Sequence, residues 1–151
     1  MNNVITGVGV VLYNKSDMSR IVIVEEKRAR ANLGKESGMY GLPSGHVEEN
    51  ESLIEAIKRE VAEETGIKEI VVKNVIGLYL IKGALGVAFS AETNDEIDLQ
   101  HIDGSDIGNA KFETVDNLIK GSCKLRPGIL QVVNDFNNGI NFPLELIKDC
   151  R

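Results

Sequence analysis

GHVEENESLIEAIKREVAEETGI, residues 45–67, carries seven glutamates in twenty-three positions, and Glu60, Glu63 and Glu64 crowd its last turns. Ser52 and Glu55 have the S-x-x-E spacing of a capping box, in which each side chain takes a free backbone N–H at a helix start. Gly66 suits the left-handed residue that ends a helix. The spacing therefore predicts a helix over 53–65. Leu53, Ile54, Ala56, Ile57 and Val61 form an apolar stripe at helical spacing, which fits packing on a sheet. Glu60, Glu63 and Glu64 stand at i, i+3 and i+4, so their carboxylates emerge on one face. They also lie near the helix C-terminus, where the macrodipole disfavours negative charge. Position and repulsion both cost stability, and a cation is the expected compensation. Clustered carboxylates are the hard oxygen ligands that Mg²⁺ or Mn²⁺ prefers. On these residues alone, a solvated acidic face partly neutralised by Lys58 and Arg59 is the competing reading.

Outward from this stretch, the chain has 151 residues, of which 42% are hydrophobic, enough for the core of a single domain over 1–151. A formal net charge of −6 argues against a basic face for nucleic acid, so an anionic substrate needs a cation as intermediary. The sequence has no apolar run of membrane-spanning length, and MNNVITGVGVVLYNK lacks the pattern of a secretory signal; a cytoplasmic protein is expected. Cys123 and Cys150 offer neither a disulfide framework nor ligand spacing.

Strand-like and helix-like segments alternate, which points to a mixed α/β domain. VGVVL (8–12) and IVIV (21–24) read as strands of a hairpin turned at Asn14-Lys15-Ser16-Asp17. Residues 70–76, 78–81 and 86–90 read as further strands, and 91–109 as a polar loop. A short strand is expected over 110–112. Thr114 fits the cap of a brief helix through Lys120, and Pro127 the first turn of a last helix ending near Asn138-Gly139.

Gly45, Glu51 and the run Arg59-Glu60-Val61-Ala62-Glu63-Glu64-Thr65-Gly66-Ile67 match every specified position of G-x5-E-x7-R-E-U-x-E-E-x-G-U, where U is a bulky aliphatic. At ordinary residue frequencies a chance match has a probability of roughly 10⁻⁹ per starting position. The chain thus resembles the Nudix hydrolases, and YGLPSGHVE (40–48) is similar to that family's approach to the motif, with Tyr40 where Trp is frequent and Ser44 where Gly is frequent. The resemblance implies an α/β/α sandwich with a mixed sheet. It also implies divalent-metal hydrolysis of a pyrophosphate in a nucleoside diphosphate linked to another group. It makes Glu60 and Glu64 the principal metal ligands and Glu63 a further ligand or the residue that orients and deprotonates water. Glu51 becomes an additional or supporting ligand, Arg59 the residue that holds the carboxylates, and the Ser44 backbone carbonyl a ligand. A cation of this kind both neutralises phosphate oxygens and activates water.

Lys27, Arg28 and His46 are candidates for substrate phosphates, and Glu92 or Glu96 in the loop through Asp106, which also holds His101, for a general base. Arg126-Pro127-Gly128 reads as the start of the last helix. The expected substrate is a nucleoside triphosphate or modified nucleotide. The alternatives are ADP-ribose or a nucleotide sugar, and a non-catalytic nucleotide-sensing domain. Within the family that the chain resembles, ADP-ribose hydrolases often carry a Pro a short way beyond the motif; the chain contains none between Pro43 and Pro127, which lowers that reading, and the intact set Glu51, Glu60, Glu63 and Glu64 favours catalysis. A monomer or homodimer is expected.

Overall fold

A computed structural model describes residues 6–27, 34–101 and 107–151. The chain begins with the expected hairpin, β1 (Thr6–Asn14) and β2 (Asp17–Glu26). Its turn is closed by side chains that mimic backbone acceptors: Ser16 N–H donates to Asn14 Oδ1 at 2.8 Å and Ser19 N–H to Asp17 Oδ1 at 3.0 Å. Val10 to Leu12 and Ile21 to Val24 are buried without alternation, as in strands covered on both faces. Two short strands follow, β3 (Tyr40–Gly41) on β2 and β4 (Ser44–His46) on β1. Leu42 and Pro43 therefore cross from one strand to its neighbour.

Helix α1 runs over Leu53–Thr65, the predicted span, with the Ser52–Glu55 capping box formed and Gly66 left-handed at φ 76°. Ile57 and Val61 are fully buried, and each such side chain contributes about 1.5–3 kcal/mol. Like-charge pairs on a helix surface cost only about 0.2–0.5 kcal/mol each, so the apolar stripe holds the helix despite its acidic end.

The readings at 70–76 and 78–81 merge into one strand, β5 (Val71–Ile81), which pairs with β6 (Ala84–Thr93). The register shifts between Val75 and Gly77, where a glycine admits the irregularity. Lys82 and Gly83 turn this hairpin, both at positive φ. The short strand at 110–112 widens to β7 (Ile107–Thr114), after which Thr114 caps α2 (Val115–Ile119) as expected. The last helix, α3 (Ile129–Asn137), starts later than Pro127 because Gly128 at φ 84° cannot join a right-handed helix.

The seven strands form one mixed sheet, ordered β3-β2-β1-β6-β5, with β4 also on β1 and β7 on β2. Only β1 and β6 are parallel among these pairs. Helix α1 covers one face over a core of Val8, Val10, Leu12 and Phe89. Helices α2 and α3 cover the other over Val11, Tyr13, Ile21 and Ile23. The expected α/β/α sandwich is the result. Among the described residues, no helix is long and apolar enough to cross a membrane.

Candidate active site

Arg59 organises the acidic helix. Its Nε and Nη2 grip both carboxylate oxygens of Glu51 at 2.7 and 3.0 Å, while Nη2 also donates to the His46 carbonyl at 3.0 Å. Nη1 donates to Glu60 Oε1 at 2.8 Å and reaches Glu63 at 3.5 Å. Only a planar fork can serve so many acceptors at fixed angles. The bond from Arg59 pulls the Glu51 carboxyl down to about 2, and the Glu48 N–H adds to this.

Each motif glutamate then finds a different surrounding. Glu60 lies over Gly45, where a Cβ would overlap its carboxylate, so the motif glycine is needed for close approach. Burial raises its pKa, and Arg59 offsets this only in part. Glu64 is 7% exposed and accepts the Ser44 N–H at 3.0 Å. Burial pushes its carboxyl up to about 8 against the pull of that bond. Glu63 is the most open of the three, with 40% of its side chain exposed against 15% for Glu60. Among the described residues, no three acidic, His or Cys side chains converge as a ready-made metal cage. Glu60 and Glu63 turn to the same Arg59 Nη1, and Glu64 turns to the Ser44 N–H.

Ser44, Gly45 and His46 also line a cleft of about 200 Å³. Its walls include Val8, Leu42, Tyr79, Ile81, Ile129 and Val132, and Gly7, Gly9 and Gly86 leave part of the lining without side chains. Tyr79 is braced by donating to Asp135 Oδ2 at 2.6 Å. The charged side chains on the lining are cations, Lys35 and Arg126.

Other sequence-level candidates fall elsewhere. Glu92 accepts from Tyr13 Oη at 3.4 Å and lies 4.0 Å from Lys73. Glu92 pairs in register with Tyr13, whereas Ser44 pairs with Gly9, four residues away along β1; at about 3.3 Å per residue that is roughly 13 Å. Tyr13 belongs to the core under α3, so the structure keeps Glu92 apart from the motif carboxylates. Glu96 is exposed in a segment that folds over the end of α1, where Asp98 N–H donates to Thr65 O at 2.9 Å. Lys27 is exposed, and its carbonyl accepts from Ser37 Oγ at 3.2 Å. Arg28, residues 102–106 and the His101 side chain lie outside the described residues. Sequence reasoning missed Lys35 and treated Arg126 only as a helix start. A lone Arg inside the apolar run LRPGILQVV was the available signal.

Residues 4–132 match the family model of the NUDIX domain. The chain belongs to the Nudix family. It is a Nudix hydrolase, of the class that acts on nucleotide-linked pyrophosphates. It is similar to phosphatase NudJ of Escherichia coli (strain K12), 28% identical over 116 residues that make up 74% of each chain. A NUDIX hydrolase from Nitrosomonas europaea has a TM-score of 0.79 at 23% identity, covering 97% of both chains. The NUDIX domain of Shewanella oneidensis NrtR, solved with ADP ribose, has a TM-score of 0.70 at 18% identity, covering 93% of this chain and 91% of that one. These structural likenesses concern the fold.

Proposed function

We propose that this chain cleaves the phosphate chain of a nucleoside triphosphate or modified nucleotide with the help of Mg²⁺ or Mn²⁺. The observation that carries this reading is the meeting of helix and cleft: Glu64 on Ser44 and Glu60 on Gly45, two residues that line a cavity of about 200 Å³. Clefts that bury a whole drug-sized ligand run to about 300–1,000 Å³, so this one suits a single ring system with its phosphates outside over the acidic face. ADP-ribose and nucleotide sugars bring a second bulky group, which this volume does not favour.

The donor set fits a hard divalent ion, being all oxygen, with two carboxylates placed where burial makes an unaccompanied charge costly. Glu60 and Glu64 would hold the ion, with Glu63 and the Ser44 carbonyl as further ligands. When bound, the ion neutralises phosphate oxygens and eases attack by water. Glu51 acts through Arg59, because both its oxygens are taken by the guanidinium fork. Arg59 in turn fixes Glu60 and the His46 backbone. Glu63, the most exposed of the three and held only by a 3.5 Å contact to Arg59, orients the attacking water and accepts its proton. His46 and Lys35 stand on the cleft lining, where they can meet substrate phosphates.

A panel of nucleoside triphosphates, dinucleotides and nucleotide sugars tests the reading, assayed with excess Mg²⁺, with chelator, and with metal restored. A triphosphate should turn over fastest, and chelator should abolish the activity reversibly. Full turnover in chelator would end the metal reading, and a nucleotide sugar as the best substrate would end the triphosphate reading.

A further inference from the structure

Arg126 precedes α3 and is 6% exposed. Its guanidinium lies on the bare face of Gly41, where a Cβ would overlap Nε and Nη2. Nη2 donates to Leu42 O at 2.7 Å and to Ser44 Oγ at 3.4 Å, and Nη1 donates to Glu26 Oε2 at 3.4 Å. Among the described residues, Nε is the one buried side-chain nitrogen or oxygen without a hydrogen-bond partner. An arginine retained for Glu26 alone would make its short bond to that carboxylate. Here the short bond goes to the crossing between β3 and β4.

That crossing is held at three consecutive residues. Leu42 O takes the bond from Arg126, Pro43 O accepts Val10 N–H at 3.1 Å, and Ser44 N–H donates to Glu64 at 3.0 Å. The backbone of Arg126 joins the same element, donating its N–H to Tyr40 O at 2.8 Å, while Tyr40 N–H donates to Lys124 O at 2.8 Å. The guanidinium thus supports the stretch that carries the Ser44 N–H, in a sheet where β4 has only three residues to fix it.

We infer that Arg126 is a positioning residue for the reaction: it supports the 42–44 crossing, sets the Ser44 N–H against Glu64, and so fixes that carboxylate for the metal. The inference rests on the reading of Glu64 as a metal ligand. Charge alone sets no sign when Arg126 is lost, because its guanidinium repels a bound cation and also attracts the Glu64 carboxylate. Position is therefore read from Arg126→Lys and Gly41→Ala, which keep the charge and disturb only the support. Loss of a support weakens divalent binding, and outer-shell partners of metal ligands are typically worth 10–100-fold in affinity.

The test is Mn²⁺ binding to the full chain without substrate, followed by electron paramagnetic resonance of the free ion. Arg126→Met and Arg126→Lys should each weaken binding about tenfold. Gly41→Ala, which displaces the guanidinium but removes no charge, should do the same. Binding by Arg126→Met that equals or exceeds that of the unmodified chain overturns the inference, as does full retention in Arg126→Lys. Circular dichroism accompanies each variant; if all three fail to fold, Arg126 is a structural residue and the inference also falls. Glu64→Gln is measured beside them, and if it binds Mn²⁺ as well as the unmodified chain, the ligand assignment itself has failed.

Discussion

Two arginines govern this site from opposite ends of the sequence. Arg59 gathers Glu51, Glu60, Glu63 and the His46 carbonyl, none more than thirteen residues away. It stands partly exposed, at 23% of its side chain, with its fork filled. Arg126 reaches Glu26, Leu42 and Ser44, at separations of 100, 84 and 82 residues, and keeps an unpartnered Nε in the interior. Each lies beside a glycine that must stay bare: Gly45 receives Glu60, a partner of Arg59, and Gly41 receives the Arg126 guanidinium itself. A local network can be assembled by one helix and the turn before it. A distant one exists only after the sheet has closed, and by the inference above it acts on a different carboxylate, Glu64, through the Ser44 N–H.

The largest effect should come at Glu64, which feels the charges of Glu60, from the first network, and of Arg126. Glu64→Gln keeps an oxygen for the Ser44 N–H but removes the charge, so kcat at saturating Mg²⁺ should fall by at least about 10²-fold, the scale of losing one electrostatic contact to a transition state. The melting temperature at neutral pH should be unchanged or higher, because a charge that burial makes costly is gone. Normal turnover in this variant would remove the shared centre from the comparison.

Next in size is the effect at Glu63, the proposed general base. Glu63→Gln should lower kcat by about 10²-fold, within the usual 10²–10⁴ range for a positioned base. Glu92→Gln should stay within about threefold of the unmodified enzyme, because Glu92 is engaged by Tyr13 at the far end of β1. A larger loss at Glu92 or Glu96, with Mn²⁺ affinity intact, would move the base to the loop. Smaller again is Gly45→Ala, whose methyl group must push Glu60 off its seat and away from Arg59. About 1–3 kcal/mol of stability should be lost by overpacking, with a roughly tenfold fall in kcat. An unchanged Gly45→Ala enzyme would show that the Arg59 network tolerates displacement.

The contrast also explains what the sequence made legible. Helix 53–65 was readable because Ser52, Glu55 and Gly66 act through neighbours within four positions, and Thr114 was readable as a cap for the same reason. Strands β3 and β4 were not, since two or three residues carry no period and exist only through their partners on β2 and β1. Glu92 reads as part of the polar loop 91–109, whereas β6 continues through it to Thr93, because pairing with β1 and β5 extends the strand and register then chooses the face. Gly7, Gly9 and Gly86 read singly as nothing in particular; parallel pairing of β1 with β6 sets them along one cleft. Arg126 required all of that first.

The smallest expected effect is on stability, and it separates the two networks by pH. Glu51, gripped by Arg59, has its carboxyl drawn from a usual 4.5 to about 2, so its ionised form favours the fold. That contribution is present above pH 4.5 and is lost as pH falls toward 2. Glu64, buried beside Ser44, has its carboxyl raised from 4.5 to about 8, so the folded chain holds that proton more tightly than the unfolded one. Its contribution is full below pH 4.5 and is lost as pH rises through 8. Metal-free protein should therefore show a Tm maximum near pH 5 that declines on both sides, by at least about 3 °C toward pH 8 for each kcal/mol lost. Scanning calorimetry in chelator at fixed ionic strength reads this directly. Glu51→Gln should flatten the acid limb and Glu64→Gln the alkaline one. Added Mg²⁺ should raise Tm more at pH 8 than at pH 5, because the ion binds the ionised carboxylate. A metal-free Tm that stays level between pH 5 and 8 would mean that the Glu64 charge is not costly where it lies, and the division between a satisfied network and a strained one would no longer hold.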